Sequence, residues 1–75
     1  MGEFAMILQT ISAALVAEIM ADKGLDENIA MESLYSSQLY AMLEKENAKL
    51  WHYSVHMLYD LFNEELTTGR FTLHE

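Results

Sequence analysis

Proline and glycine, the two residues that most strongly interrupt helices, are almost absent from this chain. Proline does not occur, and glycine occurs only at Gly2, Gly24 and Gly69. Strands and hairpins need frequent turns of that chemistry, whereas a helix needs glycine only where it ends. The sequence therefore predicts an all-α fold whose helices have few interruptions.

The strongest periodic pattern lies in residues 51–66, WHYSVHMLYDLFNEEL. Large apolar residues recur there at steps of three and four, which places them on one side of a helix. They are Trp51, Val55, Leu58, Phe62 and Leu66. We predict that Ser54 caps this helix, that the helix covers residues 55–67 and that Gly69 ends it.

Residues 3–22 form a second predicted helix, which ends at Gly24. One stripe of it is predicted to face the core, and consists of Phe4, Ile7, Leu8, Ile11, Leu15 and Ile19. A second arc on roughly the opposite side carries no charge, and consists of Met6, Ala13, Val16, Ala17 and Met20. A helix that is apolar on two sides is normally buried on both.

The second arc of the first helix has two interpretations. Either it packs inside the same domain, or it packs against another chain. A chain of 75 residues has little material with which to surround one helix completely. We therefore predict that the second arc is a protein interface and that the chain forms a homodimer or another homo-oligomer.

The apolar start of the chain also raises the question of a signal peptide or a membrane span. A signal peptide needs a positive start, whereas Glu3 is negative. Glu18 interrupts the apolar stretch before a full span of about 20 residues is reached. We expect a soluble helix, a cytoplasmic protein and no membrane partner.

The middle of the chain is predicted to form two short helices, over residues 27–35 and 38–44. Asp26 is a good cap for the first. Its apolar residues share one face, which lies about 120° from the apolar residues that follow if the helix continues unbroken. Ser36 or Ser37 would cap the second helix. The predicted fold is a small bundle of three main helices in a single domain over residues 1–75, with the middle helix broken into two.

The charge of the chain restricts its partners. Twelve acidic and four basic residues give a formal net charge of −8, which argues against nucleic acid and against an anionic membrane. Two short helices joined by a tight turn also occur in helix-turn-helix DNA readers, but Lys45 is the single cation near the second helix. The absence of cysteine excludes disulfides and thiolate metal sites. Good packing or oligomerisation must then stabilise so small a domain.

Few residues suggest chemistry. His52 and His56 have the spacing of two metal ligands on one helix, with Asp60 one turn further. Ser54 is predicted to start the helix between the two histidines, which weakens that interpretation and leaves their ligand role open. Adjacent carboxylates near the helix ends point in different directions and lack a cleft. We expect no catalytic activity, no cofactor and no bound metal.

Residues 33–70 have the sequence SLYSSQLYAMLEKENAKLWHYSVHMLYDLFNEELTTGR. The order is a short helix, serine, a helix with tyrosine, an aromatic residue before a serine-capped helix, and an acidic end. This run resembles small bacterial all-helical proteins of unknown function, although Val55 stands where those proteins often have proline. The resemblance implies a compact helical module that is partnered with a protein encoded nearby, and it implies no activity.

Two functions follow as expectations. The first is a cytoplasmic interaction module that self-associates through its first helix. The alternative is an acidic regulatory protein, similar to an antitoxin or a nucleic-acid mimic, that blocks a basic partner. In the tail after Gly69, Phe71 and Leu73 are expected to share one side of an extended segment.

Overall fold

A computed structural model describes residues 2–71, and it confirms the all-α fold class. No strand occurs among those residues. The α-helices are α1 (Glu3–Lys23), α2 (Glu27–Tyr35), α3 (Gln38–Leu43) and α4 (Val55–Thr68). Two short 3-10 helices, Glu46–Ala48 and Leu50–His52, connect α3 to α4. The predicted extended tail lies largely outside the described residues, since Leu73 follows them.

The N-termini of α2, α3 and α4 are capped by side chains, as predicted. The side chains of three residues each accept a hydrogen bond from the backbone N–H three positions later: Asp26 from Ile29 at 3.0 Å, Ser37 from Tyr40 at 3.1 Å and Ser54 from Met57 at 3.1 Å. Each bond satisfies a backbone N–H that lacks a partner within its own helix. The break between α2 and α3, from Tyr35 to Gln38, therefore has a local cause in the Ser37 side chain.

The ends of α1 and α4 are also as predicted. Gly24 and Gly69 have φ angles of 67° and 84°, in the left-handed region that glycine adopts at little cost. Lys49 adopts the same conformation, with φ of 62°, at the junction of the two 3-10 helices. Because lysine has no preference for that region, no residue type in the sequence marks the turn at Lys49.

Replacing Ser37 with alanine is expected to cost about 0.5–2 kcal/mol in the free energy of unfolding. The Ser37 hydroxyl also donates to the Leu34 carbonyl at 2.6 Å, so it joins the end of α2 to the start of α3. Urea denaturation at one fixed protein concentration measures the change. Ser36→Ala is the matched control, since Ser36 is exposed and caps no helix start. A more stable Ser37→Ala variant would contradict the capping role.

A second acceptor at the start of α3 comes from a distant part of the chain. The Glu65 carboxylate on α4 accepts from the backbone N–H of Gln38 at 2.7 Å and from that of Leu39 at 2.9 Å. A carboxylate at a helix N-terminus is also favoured by the helix dipole. Together with Ser37, Glu65 satisfies three of the backbone N–H groups at the start of α3.

All four helices contribute to one core. The largest side chains of this core are less than 2% exposed. They belong to Phe62, Leu15, Ile19, Leu34, Leu39, Leu43, Leu50 and Leu58. Three members of the predicted core stripes lie outside it: Leu66 is 56% exposed, Ile7 is 36% exposed, and Phe4 is partly buried against Trp51. Leu66 lies on the last turn of α4, where Glu65 makes the contact with α3 instead. Ile7 precedes Ile11, the first buried residue of α1.

Candidate functional site

The predicted interface residues on α1 divide into two groups. Met6 is 71% exposed, Ala13 and Ala17 are exposed, and Met20 is partly buried. Val16 differs from them because it is 7% exposed and belongs to the core cluster. Val16 lies near the buried side of α1, because it is three positions before the buried Ile19 and their side chains are therefore only about 60° apart around the helix. Met20 also packs against that core cluster, so Met6, Ala13 and Ala17 are the predicted interface residues that leave an apolar arc of α1 uncovered.

Two hydroxyl groups on this part of α1 are satisfied within the helix, whereas Gln9 adds an exposed amide. The Thr10 hydroxyl donates to the Met6 carbonyl at 2.9 Å, and the Ser12 hydroxyl donates to the Leu8 carbonyl at 2.7 Å. No Asp, Glu, Lys or Arg occurs from residue 4 to residue 17. The uncovered side of α1 therefore presents methyl, methylene and thioether groups and little polarity.

A groove of about 470 Å³ borders this side of α1. Its α1 wall is formed by Ala5, Leu8, Gln9, Ser12, Ala13 and Val16, and its other wall by Glu27, Met31, Tyr35 and Tyr40. The α1 residues span about 16 Å along the helix axis, or three turns. The volume lies within the range of ligand pockets. The groove thus continues the uncharged surface of α1 onto α2 and α3.

The two tyrosines of the groove wall contact each other. Their ring centroids are 4.8 Å apart, and Tyr35 is 47% exposed whereas Tyr40 is partly buried. Burial raises the pKa of the Tyr40 hydroxyl, a hydrogen bond with Ser12 lowers it, and the nearby Glu44 carboxylate raises it further. Tyr40 is therefore neutral at pH 7, so among residues 2–71 Glu27 is the single charged residue that lines the groove.

The C-terminal end of α1 is fixed to α4 by a group of polar contacts. The Tyr59 hydroxyl donates to the Asp22 carboxylate at 2.6 Å, and the Lys23 ammonium donates to the Asn63 side-chain oxygen at 2.8 Å. The Lys23 ammonium also lies 5.8 Å from the centre of the Tyr59 ring. These contacts join α1 to α4, and none of their residues lines the groove.

Tyr59→Phe is expected to change how stability depends on pH above pH 10. Burial, followed by the bond to Asp22, raises the Tyr59 pKa from 10.0 to about 12. The unfolded chain therefore releases this proton first, and the folded protein loses stability as the pH rises from 10 to about 12. The variant lacks this loss, although near pH 7 it is less stable by about 1 kcal/mol because the hydrogen bond is absent.

Urea titrations of both proteins at several alkaline pH values measure this difference. Tyr40 is present in both proteins, so its own raised pKa cancels in the comparison. Parallel stability curves for the parent and the variant above pH 10 would contradict the role of Tyr59.

The histidines do not form a metal site with other ligands in the described part of the chain. His56 and Asp60 are 3.8 Å apart, and their side chains are 87% and 68% exposed. The His52 ring lies on the 3-10 helix, against Trp51 at 5.9 Å and Tyr53 at 4.8 Å between centroids. Among residues 2–71, no group of three His, Cys, Asp or Glu side chains is placed to hold a metal ion.

The helix α1 is long and apolar enough to cross a membrane when only length and composition are considered. Its most apolar window has a mean hydropathy of 1.8, and 28% of that window is buried in the fold. Core helices of soluble proteins and signal sequences near an N-terminus satisfy the same two criteria. The low buried fraction agrees with the exposure of the α1 arc.

Comparisons with family models, with curated proteins and with solved structures found no match.

Proposed function

We propose that this protein is a cytoplasmic protein–protein interaction module that forms a homodimer through the exposed side of α1, which carries Met6, Ala13 and Ala17. In this proposal it has no catalytic activity and needs no cofactor, and its fold is a small bundle of three main helices with the middle one broken. The supporting observation is the exposed arc of Met6, Ala13 and Ala17, which is apolar and uncharged although the chain around it is acidic. Exposed apolar surface of this kind is typical of interaction sites.

Electrostatics favours this arc as the meeting surface of two copies. Each copy carries a net charge of −8, so contact through most other surfaces would bring carboxylates together. The stretch from residue 4 to residue 17 is the longest in the sequence without Asp, Glu, Lys or Arg. Two copies that meet there bury apolar groups and keep their acidic residues in water.

The area that a dimer requires extends this interface beyond α1. A stable interface buries about 800 Å² on each partner, which is roughly one-sixth of the 5072 Å² accessible surface of this chain. The helix α1 is about 31 Å long and its core side is already covered. The second copy must therefore also contact the neighbouring wall formed by α2.

Sedimentation velocity over a concentration series tests the proposal. We expect a dimer of micromolar or tighter affinity that does not weaken with added salt, because salt screens the repulsion between the two acidic copies. A protein that remains monomeric at millimolar concentration would overturn it. The alternative function, an acidic protein that blocks a basic partner, predicts instead complexes whose affinity falls steeply as salt is added.

A further inference from the structure

We propose that the groove between α1 and α2 is filled by Met6 of the second copy, which lies opposite Ala13 in an antiparallel pair of α1 helices. This inference rests on the proposed self-association and adds to it the direction and register of the two helices. It follows from the shape of the groove, from the exposure of Met6, and from the distribution of charge in the chain.

Met6 and the groove are complementary in size. At 71%, Met6 is the most exposed of the large apolar side chains that the structure describes. The α1 wall of the groove contains the small residues Ala5, Ser12 and Ala13, which leave space for a side chain from outside. Methionine is unbranched and flexible, and it fills irregular apolar spaces well. Met6 itself does not line the groove of its own chain.

The charges around the groove favour a second copy as its occupant. Nine of the ten lining residues are uncharged, Glu27 being the exception. Most of them come from residues 4–17 and 33–43, the two longest stretches of the sequence without Asp, Glu, Lys or Arg. A basic partner would bind more favourably to the acidic surfaces elsewhere on the chain. A second acidic copy binds most favourably where both surfaces are uncharged, because the two copies then repel each other least.

The direction of the second helix follows from the helix dipoles. Antiparallel dipoles attract each other, whereas parallel dipoles repel each other. With Met6 opposite Ala13, the two-fold axis passes between residues 9 and 10. Gln9 then lies beside its own copy, where two amides can pair because each has donors and an acceptor.

Engineered cysteines test this register, because the chain has no cysteine of its own. Disulfides require Cα atoms within about 7 Å. Equal amounts of the Met6→Cys and Ala13→Cys variants are mixed and oxidised, and the cross-linked heterodimer is measured by mass spectrometry. We expect a yield several-fold above that of Met6→Cys mixed with Met57→Cys, since Met57 is exposed on α4 and does not line the groove.

The other outcomes separate this inference from the proposed function. Preferential cross-linking of Met6→Cys with itself would show either parallel helices or an antiparallel pair with its axis at Met6, and its cross-linking with Met20→Cys would place the axis at Ala13. If the parent protein is a dimer, either result overturns the proposed register but does not contradict the proposed self-association. A monomeric parent in sedimentation overturns both. As a second measurement, Met6→Ala is expected to weaken the dimer about tenfold, and an unchanged affinity would count against Met6 as the occupant.

Discussion

Replacing Phe62 with alanine is expected to lower the free energy of unfolding by about 3–5 kcal/mol. Phe62 is 1% exposed and its ring stacks on that of Tyr59, with centroids 6.2 Å apart. Removing the ring leaves a cavity among side chains that cannot close it completely. A single core in a domain of about this size rarely supplies more than about 3–5 kcal/mol of stability, so the variant should be largely unfolded at moderate temperature.

Leu66→Ala is the matched control for Phe62→Ala. Both residues belong to the apolar stripe of α4 that the sequence predicted, but Leu66 is 56% exposed. We expect its replacement to cost less than about 1 kcal/mol. Thermal melting and the fluorescence of Trp51, whose ring is 6.5 Å from that of Phe4, report the two changes. If Phe62→Ala kept the melting temperature and the emission of the parent, the core would have been identified wrongly.

Ala17→Glu is expected to convert the dimer into a monomer. Because Ala17 is exposed in the single chain, glutamate is accommodated there without disturbing the core. In the dimer the same carboxylate would be removed from water at an apolar interface, where residues 2–17 of the second copy contain no Lys or Arg to pair with it. The expected result is a folded monomer, with the circular dichroism of the parent and half its mass in sedimentation.

Ala41→Glu serves as the control for added charge. Ala41 is also exposed, but it lies on α3 and does not line the groove. Its replacement changes the net charge by the same amount, so it should leave the dimer intact. Loss of the dimer in both variants would indicate general repulsion between the copies rather than a specific interface on α1.

The helix boundaries could be predicted from the sequence because their causes are local. Asp26, Ser37 and Ser54 each bond to a backbone N–H three residues away, and Gly24 and Gly69 adopt their left-handed conformation within their own turn. Such features depend on neighbours in the chain and therefore leave a pattern in the sequence.

The parts that could not be predicted depend on contacts between distant residues. The hydroxyl of Tyr59 meets Asp22 across 37 positions, and Glu65 reaches Gln38 across 27. The groove likewise needs α1 and α2 in place before its walls exist. Helical periodicity identified the uncharged arc of α1, but it could not show that Val16 is covered or that Ile7 and Leu66 are exposed.

The contact of Glu65 with α3 has a consequence for the order in which parts of the protein open. The helix α3 has six residues, too few to be stable alone in water. Its first two backbone amides bond to a side chain of α4, so fraying of the last turn of α4 exposes them to solvent. The end of α4 and the start of α3 therefore open as one cooperative unit, and amide hydrogen exchange at Gln38 and Leu39 reports on the end of a helix to which neither residue belongs.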